Sequence, residues 1–220
     1  MEPTSDIRSG MRAAVPLIVP TLALGVSFGV LAEPVMGQIA PIVMSILVCS
    51  GGAQFAALSV LLSGGAAAAA VGAGMLMNTR WLPMSFAVAP SLAGSTPRRA
   101  LEAQAIVDAS FVLASRADGT FDRGLLIGAT VPQVTSWIVG TAIGVFGGGL
   151  VGDPARFGLD AVFPAFYLTL LAAELRQRGG RAPVMTVALA SLITLALLPS
   201  LPPGLPIIAA SAAALIGLRR

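Results

Sequence analysis

The side chains able to do chemistry are few, and they stand in long apolar surroundings. Arg80, within Asn78-Thr79-Arg80-Trp81, follows thirteen apolar or small residues at 65–77 and precedes seventeen uncharged ones at 81–97. Placing a guanidinium at mid-bilayer costs about 2.5–3.5 kcal/mol on insertion scales, so a partner is expected. Asp108, Asp160 and a substrate carboxylate are the candidates, and a guanidinium can grip a carboxylate with two parallel donors. The competing assignment is structural: Arg80 reaches a headgroup region with Trp81 beside it as an anchor. Asp108 is the only charge in 103–115 and has Ser110 and Phe111 as neighbours. Three uses are open to it, pairing with Arg80, holding a substrate amine and carrying a proton, and the competing assignment is structural pairing without transport chemistry.

A second signal lies in the backbone. In Ser50-Gly51-Gly52-Ala53-Gln54-Phe55 the two glycines permit unwinding and close approach, while Ser50 and Gln54 supply polar groups. Breaking a helix in lipid leaves N–H and C=O groups unpaired at several kcal/mol each, so such a break needs protein, water or ligand to satisfy it. Close helix packing through small residues is the alternative for Gly51 and Gly52. Gln54 points more firmly to a polar site, because an amide at that depth must be satisfied. Asp160 opens a predicted helix at 159–175, where the macrodipole favours a negative charge and capping is the simplest role. Phe163 and Pro164, with Phe166 and Tyr167, give that helix a kink and aromatic bulk suited to an apolar side-chain pocket or to lipid contact.

The elements that must position these groups follow from composition. Of 220 residues, 56% are hydrophobic and only 10% charged, which excludes an ordinary soluble domain. The stretches 13–32, 34–79, 81–97, 124–152 and 182–218 carry no Asp, Glu, Lys or Arg. About 20 apolar residues cross a bilayer, so the sequence predicts an all-α, polytopic transmembrane helical bundle forming one integral membrane domain over 1–220. Apolar runs near 13–32, 40–62, 66–78, 81–95, 102–116, 124–148, 159–175, 182–198 and 206–218 amount to seven to eight crossings, the 66–78 and 81–95 pieces being one helix interrupted at Asn78-Thr79-Arg80 or a re-entrant pair. The run after Arg8 and Arg12 has the outline of a signal peptide ending Val30-Leu31-Ala32, but Pro16, Pro20 and its length favour a retained span.

The chain has no His, one Cys (Cys49) and a net charge of +3 carried by Arg. This composition predicts no metal site, no cofactor, no disulfide and no enzyme built on an imidazole base. The positions of the arginines speak of membrane orientation and not of nucleic acid: Arg8 and Arg12, Arg176, Arg178 and Arg181, and Arg219 and Arg220 are expected in the cytoplasm. Arg98 and Arg99 fall on the wrong side by simple alternation, a conflict that vanishes if 102–116 lies in the interface or re-enters. Glu102 with Arg98 and Arg99, and Arg116 with Asp118, Asp122 and Arg123, look like interfacial charge clusters. Sliding the chain against itself by 115 residues sets Gly25, Gly29, Gly37, Gly64 and Gly65 on Gly140, Gly144, Gly152, Gly179 and Gly180, five of the seven glycines in 25–65. That suggests repeat halves at 13–95 and 124–218. It also sets Gly51-Gly52 near Pro164, and paired helix breaks point to a midplane substrate site.

Taken in order, Gly25 and Gly29, Ser50-Gly51-Gly52-Ala53-Gln54-Phe55, Asn78-Thr79-Arg80-Trp81, Asp108-Ala109-Ser110-Phe111 and Leu159-Asp160-Ala161-Val162-Phe163-Pro164 resemble the AzlC family, the larger subunit of branched-chain amino-acid export systems. The resemblance covers nearly the whole chain. It departs at Ala109, where the family often has an acidic residue, and at Trp81, where it often has His, so a proton relay through those side chains is not carried over. The resemblance implies a multi-pass permease of the bacterial inner membrane that works with a small AzlD-type subunit. Its implied substrates are valine, leucine, isoleucine or similar amino acids, moved outward, with Asp108 the first candidate for proton coupling. Three alternatives stand beside that secondary transporter. A permease subunit of an ATP-driven importer would need a docking loop, and the longest charged loop, 116–123, is short. A membrane-embedded enzyme would need an aspartyl pair such as Asp108 and Asp160. A channel would need a ring of charges or a carbonyl filter.

Overall fold

A computed structural model describes residues 6–116, 118–151, 156, 158, 161, 165, 168, 171–172, 175–176, 181–201, 209–210 and 213. The helices are α1 (Ile7–Met36), α2 (Ala40–Val48), α3 (Gly51–Leu62), α4 (Ala67–Asn78), α5 (Trp81–Val88), α6 (Thr96–Ala103), α7 (Asp108–Ala114), α8 (Arg123–Val151) and α9 (Arg181–Leu197), with a 3-10 turn at Ala89–Ser91. Among the described residues the only β pairing is an isolated bridge between Ser115 and Phe121, so the fold is all-α. Among the described residues two helices, α1 and α8, are long and apolar enough to cross a bilayer. The chain forms two compact units, Met1–Gly51 with Asn78–Pro154, and Gly52–Met77 with Ala155–Arg220.

The first unit is organised by α1 and α8, which lie side by side and run in the same direction. Gly10 abuts Leu125 and Ala129, Gly25 abuts Trp137 and Gly140, and Gly29 abuts Thr141 and Gly144. A Cβ added at Gly25 would stand 2.6 Å from the Trp137 carbonyl oxygen, and one at Gly144 would overlap the Val26 carbonyl. These small-xxx-small pairs let two backbones touch, the contact that replaces hydrophobic burial as the driving force between helices in lipid. Pro16, Pro20 and Pro34 all lie inside α1. They do not interrupt it, and the helix exceeds the 13–32 run at both ends before Gly37, at φ 72°, stops it.

The predicted 40–62 helix is broken. α2 ends at Cys49, which is left-handed (φ 48°, ψ 30°). α2 runs against the direction of α8, with Ser45 beside Thr141 and Trp137 and Gly51 on the Trp137 ring. Trp137 is midway along α8, about 21 Å from Arg123 at roughly 1.5 Å per residue. The return toward the start of α8 is completed by α5 and the 3-10 turn, where the Phe121 amide donates to Ser91 Oγ at 3.1 Å. Within this unit α2 and α5 are therefore two half-lengths of one return path, separated in the chain by residues 52–77 of the second unit. In the second unit, α3 and α4 approach closely at Gly74, where an added Cβ would lie 3.3 Å from the Ala53 carbonyl oxygen.

The 102–116 run is not a single helix. It divides into α6 and α7, and Thr130 Oγ1 and Ser110 Oγ both donate to the Ala105 carbonyl in the connection. With no span there, Arg98 and Arg99 lie at the same end of α8 as Arg8 and Arg12, which removes the conflict in the charge pattern. Glu102 accepts from Arg98 Nε at 3.0 Å and from Arg123 Nε at 2.7 Å, and a further Arg123 contact completes a bidentate pair. Arg99 instead donates to the Ala89 carbonyl. Asp122, almost fully buried, accepts from Arg116 at 2.7 Å and from the Leu125 amide at 3.0 Å. Val88, Leu92, Ile106, Ala114, Phe121 and Leu126 form an apolar cluster at this end of the unit.

Two outcomes are expected. Gly144→Val should cost about 3 kcal/mol or prevent folding, because the clash is with backbone, whereas Gly147→Ala, with open space at its Cβ, should be tolerated; thermal unfolding in detergent measures both. The bond from Arg123, helped by Arg98 and opposed by burial, holds the Glu102 carboxyl down to about 2. A depressed folded value gives stability that is present above the ordinary carboxylate range near 4.3 and is lost as pH falls toward about 2. Melting temperature measured between pH 6 and 3 should fall less steeply in Glu102→Gln than in the unsubstituted protein, from a lower starting value.

Candidate functional site

Three of the breaks between helices in the first unit, at Cys49-Ser50, at Thr79-Arg80 and at 104–107, are tied together by side chains. Ser50 Oγ donates to Asn78 Oδ1 at 2.7 Å, joining the first to the second. Arg80 Nη2 donates to Asp108 Oδ2 at 2.8 Å, joining the second to the third. Ser110 Oγ, fully buried, accepts from the Val107 amide at 3.1 Å and so fixes the start of α7, whose first residue is Asp108. The first interruption adjoins the middle of α8 at Trp137, and the third lies nearer the start of α8, where Ala105 accepts from Thr130.

The break sits at Cys49-Ser50, just before the glycines that suggested it. The left-handed residue is Cys49, and Gly51 is glycine because the Trp137 ring covers it: an added Cβ would lie 2.8 Å from the ring edge. Trp137 is itself fixed on all sides. It stacks on Phe28 with ring centroids 6.0 Å apart, its indole N–H donates to Ser45 Oγ at 3.2 Å, and Ser45 Oγ lies 2.9 Å from Thr141 Oγ1. Thr141 in turn donates to the Trp137 carbonyl. Ser45, Trp137 and Thr141 were not among the residues singled out from the sequence. The single signal available was Trp137 as an isolated indole in the uncharged run 124–152.

Of the candidate residues, Gly51, Asn78, Arg80 and Asp108 come together here. Gly52 and Gln54 are buried in the second unit, Gln54 completely. Asp160, Phe163 and Pro164 lie outside the described residues. The Arg80–Asp108 pair settles Arg80's protein partner, and it is not a sealed pair: the side chains are 28% and 51% exposed. Arg80 Nε and Trp81 Nε1 are buried and have no hydrogen-bond partner among the described residues. The site thus offers an arginine with an Nη2 donor engaged and its Nε donor open, a half-exposed carboxylate, and an open donor on the next residue. No group of three or more His, Cys, Asp or Glu able to hold a metal occurs among the described residues.

Residues 16–151, more than half of the chain, match the AzlC protein family. The chain belongs to the AzlC family. The matched region contains every element of the site, from α1 through α8. Among individual relatives, the branched-chain amino acid transport protein AzlC of Bacillus subtilis is 25% identical over 207 residues, covering 88% of this chain and 80% of its own length. An uncharacterized membrane protein of Archaeoglobus fulgidus is 26% identical over 190 residues, covering 83% of this chain and 82% of its own. No solved structure matches the chain.

A double-mutant cycle on Arg80→Gln and Asp108→Asn should return a coupling of about 0.5–1 kcal/mol in unfolding free energy, the range of a partly exposed pair. A coupling near zero would mean that the two side chains do not meet in the folded protein.

Proposed function

We propose that this AzlC-family chain is a secondary transporter that moves branched-chain amino acids such as valine, leucine and isoleucine outward across the bacterial inner membrane. The observation that supports it best is the meeting of broken helices around an arginine with open donors. A zwitterion needs a cationic partner for its carboxylate and an anionic one for its ammonium, and Arg80 and Asp108 supply both within one contact. Broken helices around such a pair are what a midplane site in an alternating-access transporter requires. The printed name of the Bacillus subtilis relative supports the substrate class.

Seven to eight crossings and two repeat halves, 13–95 and 124–218, belong to the same proposal. So do the basic end facing the cytoplasm, a small AzlD-type partner subunit, and proton coupling through Asp108. The same-direction contact of Gly25 with Gly140 and Gly29 with Gly144 favours halves related by an axis along the helices over an inverted pair. The ATP-driven alternative gains no support from the 116–123 loop. That loop is folded on itself through the Ser115–Phe121 bridge and the Arg116–Asp122 pair, with no docking helix among its described residues.

Efflux of labelled valine from preloaded proteoliposomes, with and without the small subunit, tests the proposal. Arg80→Gln should lower the rate at least about 100-fold, as expected when a charge-assisted contact and its partner are lost together. Asp108→Asn should leave residual flux that no longer responds to an imposed pH gradient. Flux that tracks ATP with the gradient clamped would overturn the assignment.

A further inference from the structure

Resting on the transport assignment above, we propose that Trp81 is a substrate ligand. Its indole N–H and the Arg80 Nε–H together receive the amino-acid carboxylate, and the Arg80–Asp108 ion pair is the latch that closes this site when it is empty.

The argument starts from which leg of the guanidinium Asp108 takes. Nε–H and the near N–H of Nη2 lie on one edge of the guanidinium and form the fork that matches both oxygens of a carboxylate. Asp108 occupies the Nη2 leg only, at 2.8 Å, while the Nε leg is buried and unpaired. A one-legged pair is the weaker arrangement, so an incoming carboxylate that takes both legs can displace it. Asp108 has somewhere to go, since half of its side chain is exposed. Once released, it is an anion beside the site, suited to the substrate ammonium.

Trp81 supplies the third donor. Its Nε1 is buried without a partner, on the residue next to Arg80. An indole that anchors a helix at a membrane surface turns its N–H toward headgroups and water. Trp81 does not fit that role. It opens α5 immediately after the Asn78 that bonds Ser50, and about 15 Å of helix separates it from Ser91 at the basic end. A buried donor that protein leaves unsatisfied is destabilising unless a ligand completes it. Two such donors on consecutive residues suit an anion and not an amine, and both are assigned to the α-carboxylate.

The test compares Trp81→Phe with the unsubstituted full chain, in nanodiscs, for equilibrium binding of valine and of valinamide. The expected result is about a tenfold or greater loss of valine affinity on removing the N–H, as for a hydrogen bond to a charged group, with valinamide affinity unchanged. Equal loss for both ligands would mark Trp81 as structural and overturn the proposal. Unchanged valine binding would overturn it as well, while leaving the transport assignment intact. If the unsubstituted chain binds no branched-chain amino acid, the transport assignment fails and this proposal fails with it. Should Trp81→Phe not fold, indole 15N–1H spectra of the unsubstituted protein decide the matter. The chain has two tryptophans, and valine should move the Trp81 resonance downfield and leave Trp137 in place; a stationary Trp81 resonance overturns the assignment.

Discussion

The structure depends on backbone touching backbone where α1 meets α8. At Gly25 against Gly140 and Gly29 against Gly144 there is no room for a side chain. In lipid the tails are as apolar as leucine, so such close van der Waals contact is what makes one helix pairing better than another. The contact also fixes the rotation of α8 about its own axis, and this brings Trp137 against Phe28 and Ser45. From there the consequence is local. The Trp137 ring becomes the surface on which Gly51 sits, and the chain must turn at Cys49-Ser50 to pass it.

That turn places a non-glycine residue in the left-handed region, a conformation costing roughly 1–2 kcal/mol for an L-residue. Ser50 and Asn78 offset part of this by bonding each other, and the interruption in α4–α5 then falls beside the one in α2–α3. The ion pairs of the unit divide accordingly. At the basic end, Glu102 is saturated by two arginines and Asp122 is buried under Arg116, so these pairs hold α6, α7 and the start of α8 in place. Arg80 and Asp108 are held by a single bond with donors to spare. Fully satisfied pairs have little left to offer a ligand. The unsaturated pair is the one with chemistry available.

Much of this was legible in the sequence for electrostatic reasons. A lone Arg and a lone Asp in uncharged runs need partners, and Arg80 and Asp108 found each other. The helix break was legible to within two residues, but for a different cause: Gly51 signals flexibility in the sequence, whereas in the fold it is the absence of a side chain under Trp137 that matters. Ser45, Trp137 and Thr141 were not legible, because their bonds join positions more than 90 residues apart and no local pattern marks them. Nor was the division of 102–116 into α6 and α7. Its apolar run resembles a span, and what interrupts it is a set of hydroxyl-to-carbonyl bonds from Ser110 and Thr130. The glycine matches at 115 residues have a physical source of their own at 25/140 and 29/144, since residues that must meet without side chains will both be glycine.

In the proposed cycle, the interrupted return path built from α2 and α5 has a mechanical meaning. A continuous helix transmits motion from end to end, whereas two half-helices joined through Ser50 and Asn78 can tilt separately about their meeting point. Opening the α1–α8 contact would forfeit the close backbone packing at Gly25–Gly140 and Gly29–Gly144, so in this cycle it is the fixed frame. The parts held by single side-chain bonds are the meeting points at the helix starts, Ser50 with Asn78 and Arg80 with Asp108, whereas further along α5 Val88 stays packed against Ile106 and Ala114. Exchanging the Asp108 carboxylate for that of a substrate would remove the bond between α5 and α7 and leave the frame untouched. Substrate binding would in this way be coupled to movement of the start of α5 away from the start of α7, with Trp137 and its partners keeping the α2 half in place and the Val88–Ile106–Ala114 cluster holding the far end of α5.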